Sequence, residues 1–254
     1  MTQAVAADLQ ARLSQSAEDL RAAQRLRYDV FVKELGGGGP MVDHHQRLEK
    51  DAFDPFFDHL LLEDRGTGDV VGVYRLMRPE QAKLAGQYYS ASEYDLEPLL
   101  RSGRRILELG RSCLHPDYRG GTGMHVLWSG LAQYVAQHDI EVLFGVASFH
   151  GTNAAALAEP LSLLHHRHLA PAELRVRARE KSFQNMDLIK EAELDRKAAM
   201  MQIPSLIKAY LRLGGCVGEG AFIDHAFNTT DVCLIMDTAR MSERQMRIYS
   251  GRSL

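Results

Sequence analysis

The sequence predicts an α/β fold, and three observations carry that reading. A strand over Arg105–Leu114 runs through a turn at Pro116 and a glycine-rich loop, Gly120–Gly123, into an amphipathic helix. A second apolar strand, Val142–Ser148, follows that helix, and a helix between two strands links them in parallel. Upstream, His59–Glu63 and Val70–Met77 flank the turn Arg65-Gly66-Thr67-Gly68-Asp69 and read as an antiparallel hairpin. The chain has 254 residues, 45% of them hydrophobic, enough to bury a full core. It reads as one domain over 1–254, with a core at about 9–237 and a tail after 238.

In chain order, Leu9, Ala11 and Leu13 alternate as in a short strand. Ser16 is placed as an N-cap, with Asp19 three residues on, for a helix running to about Leu35. The run Gly36-Gly37-Gly38-Gly39-Pro40 ends it. Leu20, Ala23, Val30 and Phe31 share one face of this helix, and Arg27 falls among them. An arginine in an apolar stripe must meet a carboxylate or a ligand. The segment 41–58 is acidic and aromatic, with Asp43, Glu49, Asp51, Asp54 and Asp58. Arg75, beside Val71, Val73 and Met77, is a second arginine in apolar company. Pro79 ends that strand, and 80–104 reads as irregular chain with a short helix near Leu96–Leu100.

The strand at 105–114 is central because it contains Glu108 and Arg111, and charges in a core strand are costly unless paired or used. In a regular strand the two would point to opposite faces; a bulge at Gly110 would bring them to one. After Gly123, residues Met124, Leu127, Leu131, Tyr134, Val135 and His138 recur at helical spacing. Further helices are expected from about Thr152 to His168, near 188–200, and from Pro204 to Gly214. A last strand covers Thr230–Asp237.

Net charge is −3, so nothing global indicates nucleic-acid binding. Basic residues cluster locally at Arg101, Arg104 and Arg105, and again at Arg175, Arg177, Arg179 and Lys181. Such clusters are solvated faces or docking patches for an acidic partner. Cys113, Cys216 and Cys233 are too widely spaced for a disulfide framework or a zinc site. His165 and His168 share a helix face, but two ligands do not make a site, so no metal is expected. The N-terminus lacks a signal peptide's apolar core, and no apolar run approaches the ~20 residues of a spanning helix. A cytoplasmic protein is expected.

The strand–loop–helix at 105–138 resembles the cofactor-binding core of the GNAT-type acyltransferases. That resemblance implies a central mixed sheet flanked by helices, in which two parallel strands splay apart and hold the pantetheine arm of a thioester. Four segments narrow it: Arg27-Tyr28-Asp29-Val30-Phe31, Glu49-Lys50-Asp51-Ala52-Phe53-Asp54, Gly72-Val73-Tyr74-Arg75-Leu76 and Glu108-Leu109-Gly110-Arg111. In order and residue type they resemble the acyl-homoserine-lactone synthases and the ornithine–acyl carrier protein N-acyltransferases. The phrase Gly110–Arg119, Leu127-Trp128, the segment Ile203–Gly214 and Thr229-Thr230-Asp231 are most similar to the ornithine enzymes.

The resemblance implies attack of ornithine's α-amino group on an acyl thioester, giving a lyso-ornithine lipid, the acyl chain being 3-hydroxylated in that family. No tightly bound cofactor is implied; the donor is the acyl-phosphopantetheine of acyl carrier protein. Arg119, Gly121 and Gly123 match the phosphate-binding loop, but Thr122 and Met124 stand where coenzyme A-dependent relatives have small residues. Side chains there hinder close approach to a pyrophosphate, which argues against coenzyme A and suits a carrier protein.

Glu108 would serve as general base, and amides freed by the bulge would stabilise the oxyanion. Arg111 would pair with Glu108 or bind the substrate carboxylate; pairing would depress Glu108 as a base, which favours the second role. Asp51 and Asp54 are the candidates for ornithine's side-chain ammonium, unless Arg27 and Arg75 engage them. Arg27, Asp51, Asp54 and Arg75 are thus the substrate-binding candidates, although pairs of Arg27 with Asp51 and of Arg75 with Asp54 are read first as scaffold. Glu108 and Arg111 also admit a purely structural ion pair, and Cys113 reads as a small buried hydrophobe. Two other functions fit less of the pattern: an acyl-homoserine-lactone synthase using S-adenosylmethionine, and a non-catalytic acyl-carrier or lipid-binding module. A lipid product is compatible with a peripheral membrane contact.

Overall fold

Alternating apolar strands assemble into one nine-stranded sheet in the computed structural model, which describes residues 8–242 and Gln245. The strands are β1 (Leu9–Leu13), β2 (Asp58–Asp64), β3 (Asp69–Met77), β4 (Tyr94–Asp95), β5 (Ile106–Leu114), β6 (Val142–His150), β7 (Arg177–Ala178), β8 (Phe183–Gln184), β9 (Cys216–Val217), β10 (Ala221–Asp224) and β11 (Thr229–Asp237). The sheet order is β1-β2-β3-β5-β6-β11-β10-β8, with β9 also on β11; β4 and β7 form a separate short pair. β5 and β6 are parallel, and the other pairs are antiparallel. The mixed sheet is therefore the one expected.

The helices are α1 (Ala17–Arg27), α2 (Pro79–Ala85), α3 (Glu97–Arg101), α4 (Gly123–Gln137), α5 (Ala158–His168), α6 (Arg196–Gln202) and α7 (Ser205–Arg212). On one sheet face Leu107, Leu109, Leu143, Val232 and Leu234 pack with Leu127 and Leu131 of α4, Leu161 of α5 and Tyr210 of α7. On the other, Met77, Ile106, Phe144 and Ile235 meet Ala82 of α2 and Leu99 of α3, while Ala23 and Leu26 of α1 cover Leu61, Val73 and Cys113.

Ser16 caps α1 as expected, its side chain accepting from the Asp19 amide. The helix then changes character, continuing as a π-helical segment, Tyr28–Glu34, before Gly36 at φ +71° ends it. α2 lies in a stretch expected to be irregular. Pro79 begins this helix as well as ending the strand, because a first-turn proline forgoes an amide that has no partner there anyway. α5 starts at Ala158, later than expected, because Asn153 draws the following residues into a turn through the Ala155 amide. α6 is shorter than the predicted 188–200, with Asp195 accepting from two amides at its start. The expected tail after 238 begins as a turn at Thr238–Arg240, and beyond Ser242 it lies outside the described residues except for Gln245. No helix among the described residues is long and apolar enough to cross a membrane.

Parallel pairing of β5 with β6 covers only Ile106↔Val142, Leu107↔Leu143 and Glu108↔Phe144, whereas β6 stays bonded to β11 along its whole length. The two strands touch last at Gly145, where a Cβ would sit 2.1 Å from the Leu109 carbonyl oxygen, and then part. Gly145→Ala must displace one strand and should destabilise by ~1–3 kcal/mol or more. Gly121→Ala, which meets nothing within 4 Å, should stay within about 0.5 kcal/mol. Urea denaturation of the two variants checks the contrast.

Candidate active site

Between the pairs Val73↔Cys113 and Arg75↔Gly110, β5 contains one more residue than β3, so Tyr74 alone faces Arg111 and Ser112. This is a bulge, centred one residue beyond the Gly110 expected from sequence. Arg111 adopts φ +50°, left-handed backbone that disfavours a side chain by ~1–2 kcal/mol. The extra residue resets the alternation, and Glu108 and Arg111 now meet the same neighbour. Glu108 Oε2 accepts from the Tyr89 amide at 2.8 Å and Oε1 from the Ser90 amide at 2.6 Å, while the Arg111 guanidinium stacks 4.9 Å from the Tyr89 ring centre.

Arg111 does not pair with Glu108. Its Nε and Nη2 face Glu49 at 3.2 Å and Asp51 at 3.3 Å. Arg27, fully buried, bonds Glu49 and, at 2.7 Å, Asp54. Arg75, also fully buried, reaches Asp51 and Asp54, both at 2.8 Å. The expected Arg27–Asp51 pair is thus corrected: Glu49 takes that place, and Arg75 holds both aspartates. Three guanidiniums and three carboxylates balance, which a buried cluster requires. Burial works to raise the carboxyls of Glu49, Asp51 and Asp54, but the arginines overcome it and hold all three below their ordinary values. Gln24 adds a hydrogen bond to Asp54 at 2.9 Å.

A cavity of about 370 Å³ occupies the gap between β5 and β6 and draws its walls from both sheet faces. Leu109, Leu143, Leu234 and Met236 form its apolar half, with Leu206 and Tyr210 of α7. There the hydroxyls of Tyr74 and Tyr210 lie 2.5 Å apart, and Trp128 packs on Tyr210 with ring centres 5.3 Å apart. Tyr89, Glu93, Arg111, Asp224, Phe227 and Asp231 form its polar half. Glu108, 1% exposed, does not border the cavity. Burial raises its carboxyl, against the lowering effect of the donors on Ser90 and Tyr89.

Asp51 and Asp54 do not border the cavity either; they belong to the charge network. Arg119 is engaged by Glu34 at 2.6 and 2.7 Å and donates to the Leu114 carbonyl. Gly123 packs against Leu62 and Leu114, whereas Gly121 faces open space. Arg104 is held by Glu141 and Asp237, and Arg177 by Glu180 and Glu219, so the basic clusters are partly neutralised. Cys113 is buried and its thiol is pushed up to about 12, which leaves it inert. His165 comes together with His166 and Asp187, away from the cavity. Sequence reasoning missed Glu93 and Asp224, and named Asp231 only within the segment Thr229-Thr230-Asp231, without a role. Asp231 had the signal that marked Glu108, a charge inside an otherwise apolar strand.

A sheet whose central parallel strands splay around a cavity defines a GNAT-type acyltransferase fold. The model of the Acetyltransferase (GNAT) domain matches residues 26–129. Among solved structures, the acyl-homoserine-lactone synthase LasI is similar with a TM-score of 0.51, at 17% identity and covering 98% of each chain. BjaI, a coenzyme A-dependent acyl-homoserine-lactone synthase solved with S-adenosylmethionine and isopentyl-coenzyme A, has a TM-score of 0.53 at 14% identity, covering 97% of this chain and 89% of its own. Sequence relatives are far nearer. A Rhodobacter capsulatus L-ornithine Nα-acyltransferase is 59% identical over 95% of this chain and 94% of its own, and one from Brucella abortus is 42% identical over 96% and 90%. The chain belongs to the L-ornithine Nα-acyltransferase family.

Removing Arg27 leaves two buried carboxylates short of a partner, so Arg27→Met should destabilise by ~3–5 kcal/mol at pH 7. In the wild type the three depressed carboxyls contribute stability that is present above their unfolded values, about 4, and lost as pH falls below that. In the variant, protonation of Glu49 and Asp54 relieves the defect, so the gap to wild type should narrow on acidification. Denaturation at pH 7 and pH 4 tests this; an equal gap at both would contradict it.

Proposed function

We propose that this protein transfers an acyl chain, 3-hydroxylated in the preferred donor, from the phosphopantetheine thioester of acyl carrier protein to the α-amino group of L-ornithine. The single observation that carries the proposal is the two-sided cavity between β5 and β6, apolar toward α7 and charged toward Tyr89 and Arg111. Family membership supports the acceptor. The apolar half suits a lipid chain, and the charged half suits an amino acid. The neutral amine attacks the thioester carbonyl, the C–N bond forms, and the tetrahedral oxyanion collapses with expulsion of the thiolate, which takes the proton lost by nitrogen. Bulges leave ladder positions unpaired, so the amides of Arg111 and Ser112 are assigned to the oxyanion. Arg111, bordering the cavity, is assigned to the acceptor's carboxylate.

The carrier-protein donor is supported by Thr122 just before α4, by Met124 in its first turn and by the engagement of Arg119 with Glu34. Arg101, Arg104 and Arg105 flank the start of β5, at the opposite end of the strand from the bulge. Carrier docking is therefore expected at the loop 115–122. Arg27, Arg75, Asp51 and Asp54 act as scaffold in this reading. The reaction is cytoplasmic, with the lipid product passing to the adjacent membrane face.

Glu108 is proposed as a positioning residue: both its oxygens accept from the Tyr89–Ser90 turn, and its side chain does not border the cavity. Glu108→Gln should then lower kcat by about tenfold at every pH. A base contributes more, roughly 10²–10⁴-fold. Loss of an ionisation limb from the kcat/KM profile in that variant would restore Glu108 as the base.

Thiol release from a 3-hydroxyacyl carrier-protein thioester tests the function. It should require L-ornithine and yield an N-acylated product by mass. Release with S-adenosylmethionine alone, or with neither acceptor, would overturn the proposal.

A further inference from the structure

Glu93, Asp224 and Asp231 come from three separate parts of the chain: just past the 89–92 turn, the end of β10, and β11. Carboxylate oxygens of all three lie within 4.8 Å of one another, and all three border the cavity beside Arg111. Unlike Glu49, Asp51 and Asp54, none of them forms an ion pair among the described residues. Glu93 and Asp231 are each only 4% exposed, and Glu93 Oε2 and Asp231 Oδ1 receive no hydrogen bond among the described residues. Asp224 is partly engaged, its Oδ1 accepting from the Ala226 and Phe227 amides at 2.7 and 3.1 Å.

Buried acceptors without donors are unfavourable by ~1–3 kcal/mol each, and more when charged. Burial raises the Glu93 carboxyl well above its ordinary value, with Asp231 and Asp224 adding to the rise. Burial also raises Asp231 to about 6, against the Ser148 and Thr229 hydroxyls and with Asp224 reinforcing it. A cation placed among the three removes both penalties at once. An alkylammonium has three N–H donors, matching three carboxylates. A divalent ion of the calcium or magnesium kind would have to complete its six or more oxygens with water, whereas an alkylammonium is satisfied by the three carboxylates alone.

We infer that Glu93, Asp231 and Asp224 bind the side-chain ammonium of the acceptor amino acid and select for an acceptor with an ω-amino group. The inference rests on the acyl-transfer reading above. With its carboxylate at Arg111 and its ω-ammonium at the cluster, the acceptor lies along the polar half of the cavity and offers its α-nitrogen to the gap between β5 and β6. Asp51 and Asp54, closed within the arginine network, have no part in this contact.

The test compares L-ornithine with L-norvaline, which has the same carbon skeleton without the δ-amino group, in the wild type and in Asp231→Asn, Glu93→Gln and the double variant. Wild type should prefer ornithine by at least about 10³-fold in kcat/KM, since a site with buried polar groups rejects an analogue that leaves them unpaired. Each single variant should lower the ornithine-to-norvaline ratio by about tenfold or more, through ornithine's KM and not the donor's. A fall of equal factor for both acceptors would mark a structural role and overturn the inference, as would a wild type indifferent to the δ-amino group. Loss of activity on chelation with restoration by a divalent ion would assign the cluster to a metal instead. A wild type that releases no thiol with ornithine would overturn the acyl-transfer reading itself, an outcome distinct from a failed selectivity ratio.

Discussion

One extra residue in β5 separates a continuous sheet from a reactive gap. β6 is tied to β11 along nine residue pairs and cannot follow β5, so the displacement at Arg111 and Ser112 opens space between the two parallel strands instead of shifting the whole sheet. The same displacement turns Arg111 onto the face that already holds Glu108. A left-handed arginine is unfavourable by itself; its guanidinium offsets this by closing the charge network with Glu49 and Asp51 and stacking on Tyr89 and Phe227.

Two sets of acidic residues surround the bulge and differ in one respect. Glu49, Asp51 and Asp54 face three guanidiniums and are neutralised inside the protein, which makes them structure. Glu93, Asp224 and Asp231 form no ion pair among the described residues and border the cavity beside Arg111, which makes them receptive to a cation. Arg75 and Arg111 of the network stack on the Tyr89 ring, and Glu108 fixes its backbone. The 89–93 segment therefore links the network to the cavity: a carboxylate on one side holds its amides, and its own Glu93 projects to the other.

Much of this was legible in the chain. Charges at Arg27, Arg75, Glu108 and Arg111 interrupt apolar periodicities; the three arginines proved to belong to one connected network, and Glu108 to hold the Tyr89–Ser90 turn beside it. The hairpin, the parallel pair and the capped first helix follow from local pattern because their signals lie within ten or fifteen residues. Pairing partners were less legible: Arg27 reaches Glu49 and not Asp51, because the intervening backbone, not residue type, decides which carboxylate arrives. Glu93 was hidden in a stretch without periodicity, and Asp224 in a four-residue strand too short to announce itself. α2 escaped because a proline read as a stop also serves as a start.

The central claim is that the gap between β5 and β6 is the donor channel, with the acyl chain passing to the α7 side. A crystal structure with a non-transferable acyl-pantetheine amide tests it most directly. The account predicts the carbonyl oxygen within hydrogen-bond distance of the Arg111 and Ser112 amides and the chain against Leu143, Leu234 and Met236. An acyl chain lying among Glu93, Asp224 and Asp231, or outside a closed gap on the surface of α4, would contradict it.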